Sequence, residues 1–301
     1  MLGAPIERKD HLDTLAVGLL LVCCLFWGGQ QVLIKATLPE LPSVFQAWLR
    51  LAGAALLVAL WCRLRGIALF GRDGTLGPGL VAGALFAGEF ACIYIGLQHT
   101  GASRLTVFLY TAPFWVALLV PLKIRTERLH LPQWLGLGLA FIAVAYALRE
   151  GLTQGTSVRG DLLGLAAGMF WGLTTVVIRG SRLTQIAAEK LLFYQLGVSA
   201  LVLPLLSLAL GEVWRWPPSA FAWGSVGVQA SVGGFLSFLL WMWMLGRYPA
   251  TRMSSFVFFT PLFSLLFGAL WLGERVTAGV LVAIAAVAVG MVLMNRPPRR
   301  T

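Results

Sequence analysis

The chain has 301 residues, of which 58% are hydrophobic and only 12% charged. A soluble domain carries about a quarter charged residues, so the composition excludes a water-soluble globule and places the chain in a lipid bilayer. The net charge of +11 does not signal nucleic acid, because the Lys and Arg residues fall between apolar runs and form no block.

A helix needs about 20 apolar residues to cross the hydrocarbon. Ten runs meet that requirement: 14–35, 43–62, 76–98, 103–122, 131–149, 160–179, 187–210, 219–245, 251–272 and 277–294. The first contains Leu25-Phe26-Trp27-Gly28 and ends at Lys35. Trp27, Gln30 and Gln31 share one of its faces by their i, i+3, i+4 spacing. Cys23, Cys24, Cys62 and Cys92 lie in or beside apolar runs, with neither zinc-site nor disulfide spacing, and read as packing residues.

The second run carries Arg50. The third carries Glu89, Tyr94 and the small pair Gly79 and Gly83. A carboxylate at the bilayer centre costs roughly 2.5–3.5 kcal/mol, so Glu89 must meet water or a partner. Arg50 is within reach. The two form either a structural ion pair or a site that binds substrate and couples its movement to protons. The fourth run holds Tyr110, Thr111-Ala112-Pro113-Phe114 and Trp115, and leads to Glu127-Arg128. The fifth is rich in small residues, which let helices approach closely in lipid.

The sixth run repeats the first. Met169-Phe170-Trp171-Gly172 lies 144 residues after the earlier copy, Thr174 and Thr175 stand where Gln30 and Gln31 stood, and Arg179 replaces Lys35. Gly160, Gly164, Gly168 and Gly172 form a small-residue stripe along it, either a static packing seam or a sliding surface. The eighth run carries Trp241. The ninth carries Thr260-Pro261-Leu262-Phe263 and ends at Glu274-Arg275, echoing the fourth. Pro113 and Pro261 each lack a backbone donor and clash with the carbonyl four residues earlier, which makes them the hinge candidates.

The chain therefore divides into residues 1–150 and 151–301, two five-helix repeats within one membrane domain. The amino-terminus, the even-numbered loops and the tail hold most of the 23 Lys and Arg residues, so both termini are expected in the cytoplasm. With five spans per half, the two Trp-Gly copies cross the bilayer in opposite senses. The expected fold is all-α, with ten transmembrane helices in a 5+5 inverted repeat, the architecture of alternating-access transporters.

On the paired Trp-Gly motifs, the Pro-aromatic motifs of spans four and nine, and the Glu-Arg pairs that end them, the chain resembles the ten-span EamA-type branch of the drug/metabolite transporter superfamily. The resemblance implies a central cavity and export of amino acids or similar small metabolites across a bacterial inner membrane. The substrate-binding candidates are Trp27, Gln30, Gln31, Glu89, Tyr94, Tyr110, Trp115, Trp171, Thr174, Thr175 and Trp241, with Glu89 and Arg50 as the coupling pair. Interhelical bonding without a ligand remains open for the polar members. A multidrug or organic-cation extruder is the main alternative reading, with a membrane-embedded enzyme or a channel behind it. No G-x-x-x-x-G-K-[ST], H-E-x-x-H or G-x-S-x-G occurs, so neither ATP hydrolysis nor enzyme chemistry is expected, and no cofactor or metal. The expected partners are a small-molecule substrate and the bilayer.

Overall fold

The computed structural model describes residues 12–71, 73–123, 158–214, 218–248 and 259–294, with residue 257 and isolated positions between 131 and 146. Every regular element among them is helical. In chain order these are α1 (Thr14–Thr37), α2 (Ser43–Arg65), α3 (Leu76–His99), α4 (Ala102–Leu109), α5 (Ala112–Lys123), α6 (Val158–Arg179) and a short 3-10 turn (Arg182–Gln185). There follow α7 (Ala188–Ala209), α8 (Ala220–Val228), a π segment (Gln229–Leu236), α9 (Ser237–Arg247), α10 (Phe259–Leu272) and α11 (Ala278–Met294).

Six stretches are long and apolar enough to cross a membrane: α1, α2, α3, α6, α7 and the continuous helix Ala220–Trp241. Leu15, Val22, Leu56, Leu60, Leu80, Leu201 and Leu205 point outward and exposed along them. That is a surface for lipid, since water would penalise so much apolar area. Most of the fifth expected span lies outside the described residues, as do Glu127, Arg128 and the start of the ninth.

The fourth expected span is two helices. α4 stops at Leu109, the chain turns at Tyr110 and Thr111, and α5 restarts at Ala112. Pro113 explains the break: its ring cannot coexist with a helical Leu109 carbonyl, and it has no N–H to give. The Thr111 hydroxyl donates to the Phe108 carbonyl at 2.6 Å, satisfying one acceptor there. Pro261 likewise sits in the first turn of α10, where a missing donor is harmless. Both prolines open a helix; neither bends a continuous one.

The glycine stripe of α6 lies along this broken span. Added Cβ atoms would fall 2.7 Å from Thr100 Cβ (Gly160), 3.0 Å from Phe108 Cβ (Gly164), 2.8 Å from Thr111 Oγ1 (Gly168) and 2.6 Å from Trp115 Cβ (Gly172). The first Trp-Gly copy makes the mirror contact. A Cβ on Gly28 would fall 2.7 Å from Phe263 Cβ and 2.7 Å from the Ser264 nitrogen of α10. Thus α1 leans on the span that carries Pro261, and α6 on the span that carries Pro113. Elsewhere α3 packs on α7 as α2 packs on α8 and the π segment.

Polar contacts fix the helix directions. At one end of the bundle the Lys35 ammonium donates to the Thr100 carbonyl at 2.6 Å, and the Thr100 hydroxyl donates to Asp161 at 3.2 Å. α1 therefore ends where α6 begins. At that same end Glu274 accepts from Ala102 N (2.6 Å), Ser103 N (3.2 Å) and Ser103 Oγ (2.8 Å), and lies 3.3 Å from Lys35. It caps α4 from the other half of the chain, where free N–H groups and the helix dipole favour an anion. Glu212 does the same for α2, accepting from Val44 N and Phe45 N at 2.9 Å each.

At the opposite end Tyr248 donates to Asp13 at 3.0 Å, and Lys190 pairs with Asp73 at 2.6 Å. The Lys190 ammonium and the bonds from Thr75 hold the Asp73 carboxyl well below the usual carboxylate range. A carboxyl depressed in the folded state contributes stability above its unfolded pKa of about 3.9 and loses it as pH falls toward the folded value. Asp73→Asn should therefore lower the unfolding midpoint at neutral pH, and the gap to the parent protein should shrink as pH drops below about 4. Thermal melts of the purified protein across pH check this; a gap constant with pH would refute it.

A candidate substrate cavity

A cavity of about 430 Å³ opens among α1, α2, α3, the α4 end, α6, α7 and α9. Both Trp-Gly helices line it with the predicted faces: Trp27, Gln30 and Gln31 from α1, and Trp171, Thr174 and Thr175 from α6. Arg50, Glu89, Tyr110 and Trp241 line it as well. Since α1 and α6 run in opposite directions, equivalent residues of the two halves meet across one space.

The wall is largely aromatic. Phe86, Phe90 and Phe238 join the three tryptophans and Tyr110. Trp27 and Trp241 meet edge to face at 5.6 Å, and Tyr110 and Trp171 at 5.7 Å. The Trp27 indole N–H donates to Ser237 at 3.0 Å, so its orientation is fixed from α9. The Thr174 and Thr175 hydroxyls donate back to the carbonyls of Phe170 and Trp171, the usual way such a hydroxyl is satisfied within a helix. They present oxygen lone pairs and a polar surface, with no free donor.

The charged pair differs from expectation. Arg50 and Glu89 both border the cavity and are almost fully buried, but no ion pair joins them among the described residues. With its amide oxygen turned to the guanidinium, Gln30 accepts from Arg50 Nη2 at 3.0 Å and Nη1 at 3.1 Å. Nη1 also donates to the Tyr94 hydroxyl at 3.4 Å, and the guanidinium lies over the Phe90 ring, 4.8 Å from its centroid. The Glu89 carboxylate makes no hydrogen bond among the described residues. No structural ion pair is formed between the two among the described residues; Gln30, Tyr94 and Phe90 meet the guanidinium instead.

Tyr94 and Trp115 do not line the cavity. Tyr94 lies one layer behind it, donating to Gln229 Oε1 at 2.6 Å. Gln229 continues to Ser225 at 2.8 Å, and Ser225 to Thr37 at 2.6 Å. Trp115 packs on Gly172, outside the cavity. Pro113 and Pro261 also stand outside the lining.

Several lining residues escaped the sequence reading. Gln195 is the eighth residue of α7, as Arg50 is of α2, so the repeat itself pointed to it. Phe86, Phe90 and Ile93 share the Glu89 face at helical spacing, a signal as strong as the one that placed Gln30 and Gln31. Leu109, Ile178, Leu191 and Val257 are apolar residues in apolar runs, and nothing in the sequence marks them.

A model described as the EamA-like transporter family matches residues 14–149 and again 158–296. The chain is 28% identical to an uncharacterized transporter of Synechocystis over 97% of this chain and 93% of the relative. It is 23% identical to the uncharacterized transporter YoaV of Bacillus subtilis (90% and 93%) and 22% identical to the uncharacterized inner membrane transporter YedA of Escherichia coli (92% and 90%). A solved crystal structure shares the fold, with a TM-score of 0.63 at 16% identity over 94% of this chain and 98% of its own.

Proposed function

Because this chain belongs to the EamA-like transporter family and is a transporter, not an enzyme, we propose that it exports small amino-acid-like metabolites across a bacterial inner membrane as a secondary carrier. Ten spans form two five-helix repeats of opposite orientation, with both termini in the cytoplasm, and one half rocks against the other to expose the cavity alternately. The observation that carries this reading is the meeting of Trp27, Gln30 and Gln31 with Trp171, Thr174 and Thr175 across one cavity, on helices that run in opposite directions.

Bilayer-buried ionisable groups mark transport pathways. Glu89 has the free carboxylate a substrate ammonium requires, and aromatic faces add cation attraction. The ends of the cavity differ. Ile178, Leu191 and Val257 carry it toward the end that holds Lys190 and Tyr248. At the other end lie the Tyr94–Gln229–Ser225–Thr37 chain and the Glu274 cap.

Counterflow in proteoliposomes with labelled amino acids, nucleosides and lipophilic cations tests the reading. Exchange of amino acids supports it; exchange of cations alone moves the protein to the organic-cation alternative, which the aromatic wall beside Glu89 favours. Glu89→Gln is expected to transport without responding to an imposed pH gradient. A response equal to that of the parent protein removes Glu89 as the coupling site.

A further inference from the structure

Arg50 is 2% exposed, borders the cavity, and has a donor, Nε, with no partner among the described residues. Gln31, 7% exposed on the same wall, has an acceptor, Oε1, equally without one. A buried donor left without a partner is costly, and a bound acceptor removes that cost. The other guanidinium nitrogens bond Gln30 and Tyr94, so the head group is held in place, and of its five N–H donors one on Nε and one on Nη2 are left to a ligand. Guanidinium stays charged in any setting. The matching position of the second repeat is the uncharged Gln195, so the cavity offers an anion one anchor, on one side.

Resting on the transport reading above, we propose that Arg50 binds a carboxylate of the transported molecule and that Tyr94 and Gln229 are positioning residues that hold its guanidinium for that contact. Tyr94 is fully buried behind the cavity and outside its lining; it bridges Arg50 in the first repeat to Gln229 in the second. Gln229 is the first residue of the π segment, a helix defect that recurs at functional sites. The segment is pinned on both sides. Gln229 bonds Tyr94 and Ser225, while Ser237, just past its end, accepts from Trp27 and donates to the Gly233 carbonyl. A Cβ on Gly233 would collide with Gln30, the other partner of Arg50. The second half of the chain thus sets where the first half's cation points.

The test uses acid and amide pairs, 3-phenylpropionate with 3-phenylpropionamide and L-phenylalanine with L-phenylalaninamide, taken up by the full chain in proteoliposomes. The parent protein should take up the acid of at least one pair and discriminate at least about tenfold against its amide, the scale of one charge-assisted hydrogen bond. Tyr94→Phe keeps the ring and removes the hydroxyl. It should raise KM for the acid about tenfold with Vmax kept, and leave any amide uptake unchanged. Gln229→Met, which keeps the volume, should act in the same direction and is the second reading should Tyr94→Phe fold poorly. Equal uptake of acid and amide overturns the proposal and leaves the transport reading standing. An unchanged KM in a folded variant of either position also overturns it. Uptake of none of the four overturns both.

Discussion

Replacing Arg104 by leucine is expected to cost about 3–5 kcal/mol of stability, because it strands a buried carboxylate. Arg104 Nε lies 2.8 and 2.9 Å from the two oxygens of Asp161, and Nη2 lies 2.8 Å from one of them. The arginine is 5% exposed and the aspartate 0%. Water cannot reach Asp161 to replace the lost donors, and Thr100 alone supplies a single hydroxyl. The double variant Arg104→Leu/Asp161→Leu should recover most of the loss, since removing a whole buried pair is often close to neutral. Melting curves of the detergent-solubilised proteins decide the matter. A double variant no more stable than the single one would mean that the pair itself holds α4 to α6.

Gly28→Leu and Gly172→Leu should be damaging to similar degrees, on the order of 1–3 kcal/mol each or more. Each introduces side-chain atoms where a Cβ alone already stands 2.6–2.7 Å from its neighbour. At Gly28 the obstacles include the Ser264 nitrogen and the Thr260 carbonyl oxygen at 2.8 Å, which cannot rotate aside as a side chain could. At Gly172 the nearest atom is Trp115 Cβ, anchored directly to the backbone of α5. Helix separation is the only relief, and in lipid close backbone approach is itself a main source of helix association. Yield of folded protein after gel filtration measures the effect. Tolerance at one glycine with collapse at the other would show that the two seams are not equivalent.

Much of the bundle can be read from apolar runs and from the duplication. Trp27, Gln30 and Gln31 on one helix, and Trp171, Thr174 and Thr175 on another, reach the cavity because residues at i, i+3 and i+4 share a face and both faces are polar within lipid. Glu89 follows from the cost of an unpartnered carboxylate in hydrocarbon. Partners are another matter. The pattern around Arg50 gave a carboxylate within reach, while the structure gave Gln30, Tyr94 and Phe90. The pull of an opposite charge can be estimated from sequence; the geometry that fills a guanidinium first cannot. For the same reason the sequence shows Glu274 only as the end of its own span, whereas in the structure it caps α4, 172 residues earlier. Asp161 drew no notice, because a lone acid at the start of an apolar run looks like a loop residue until Arg104 is beside it.

The seam between α1 and α10 has a bearing on how the chain is made. Residue 28 needs residue 263 to complete its contact, so the first helix leaves the ribosome long before its neighbour exists. The nascent protein must wait in the membrane with that groove vacant, or filled by lipid, until synthesis is nearly done. Gly28, Gly83 and Gly172 each meet the other half of the chain, so a truncated product ending after α5 should be cleared by quality control, whereas the two halves expressed as separate polypeptides should find each other and reassemble.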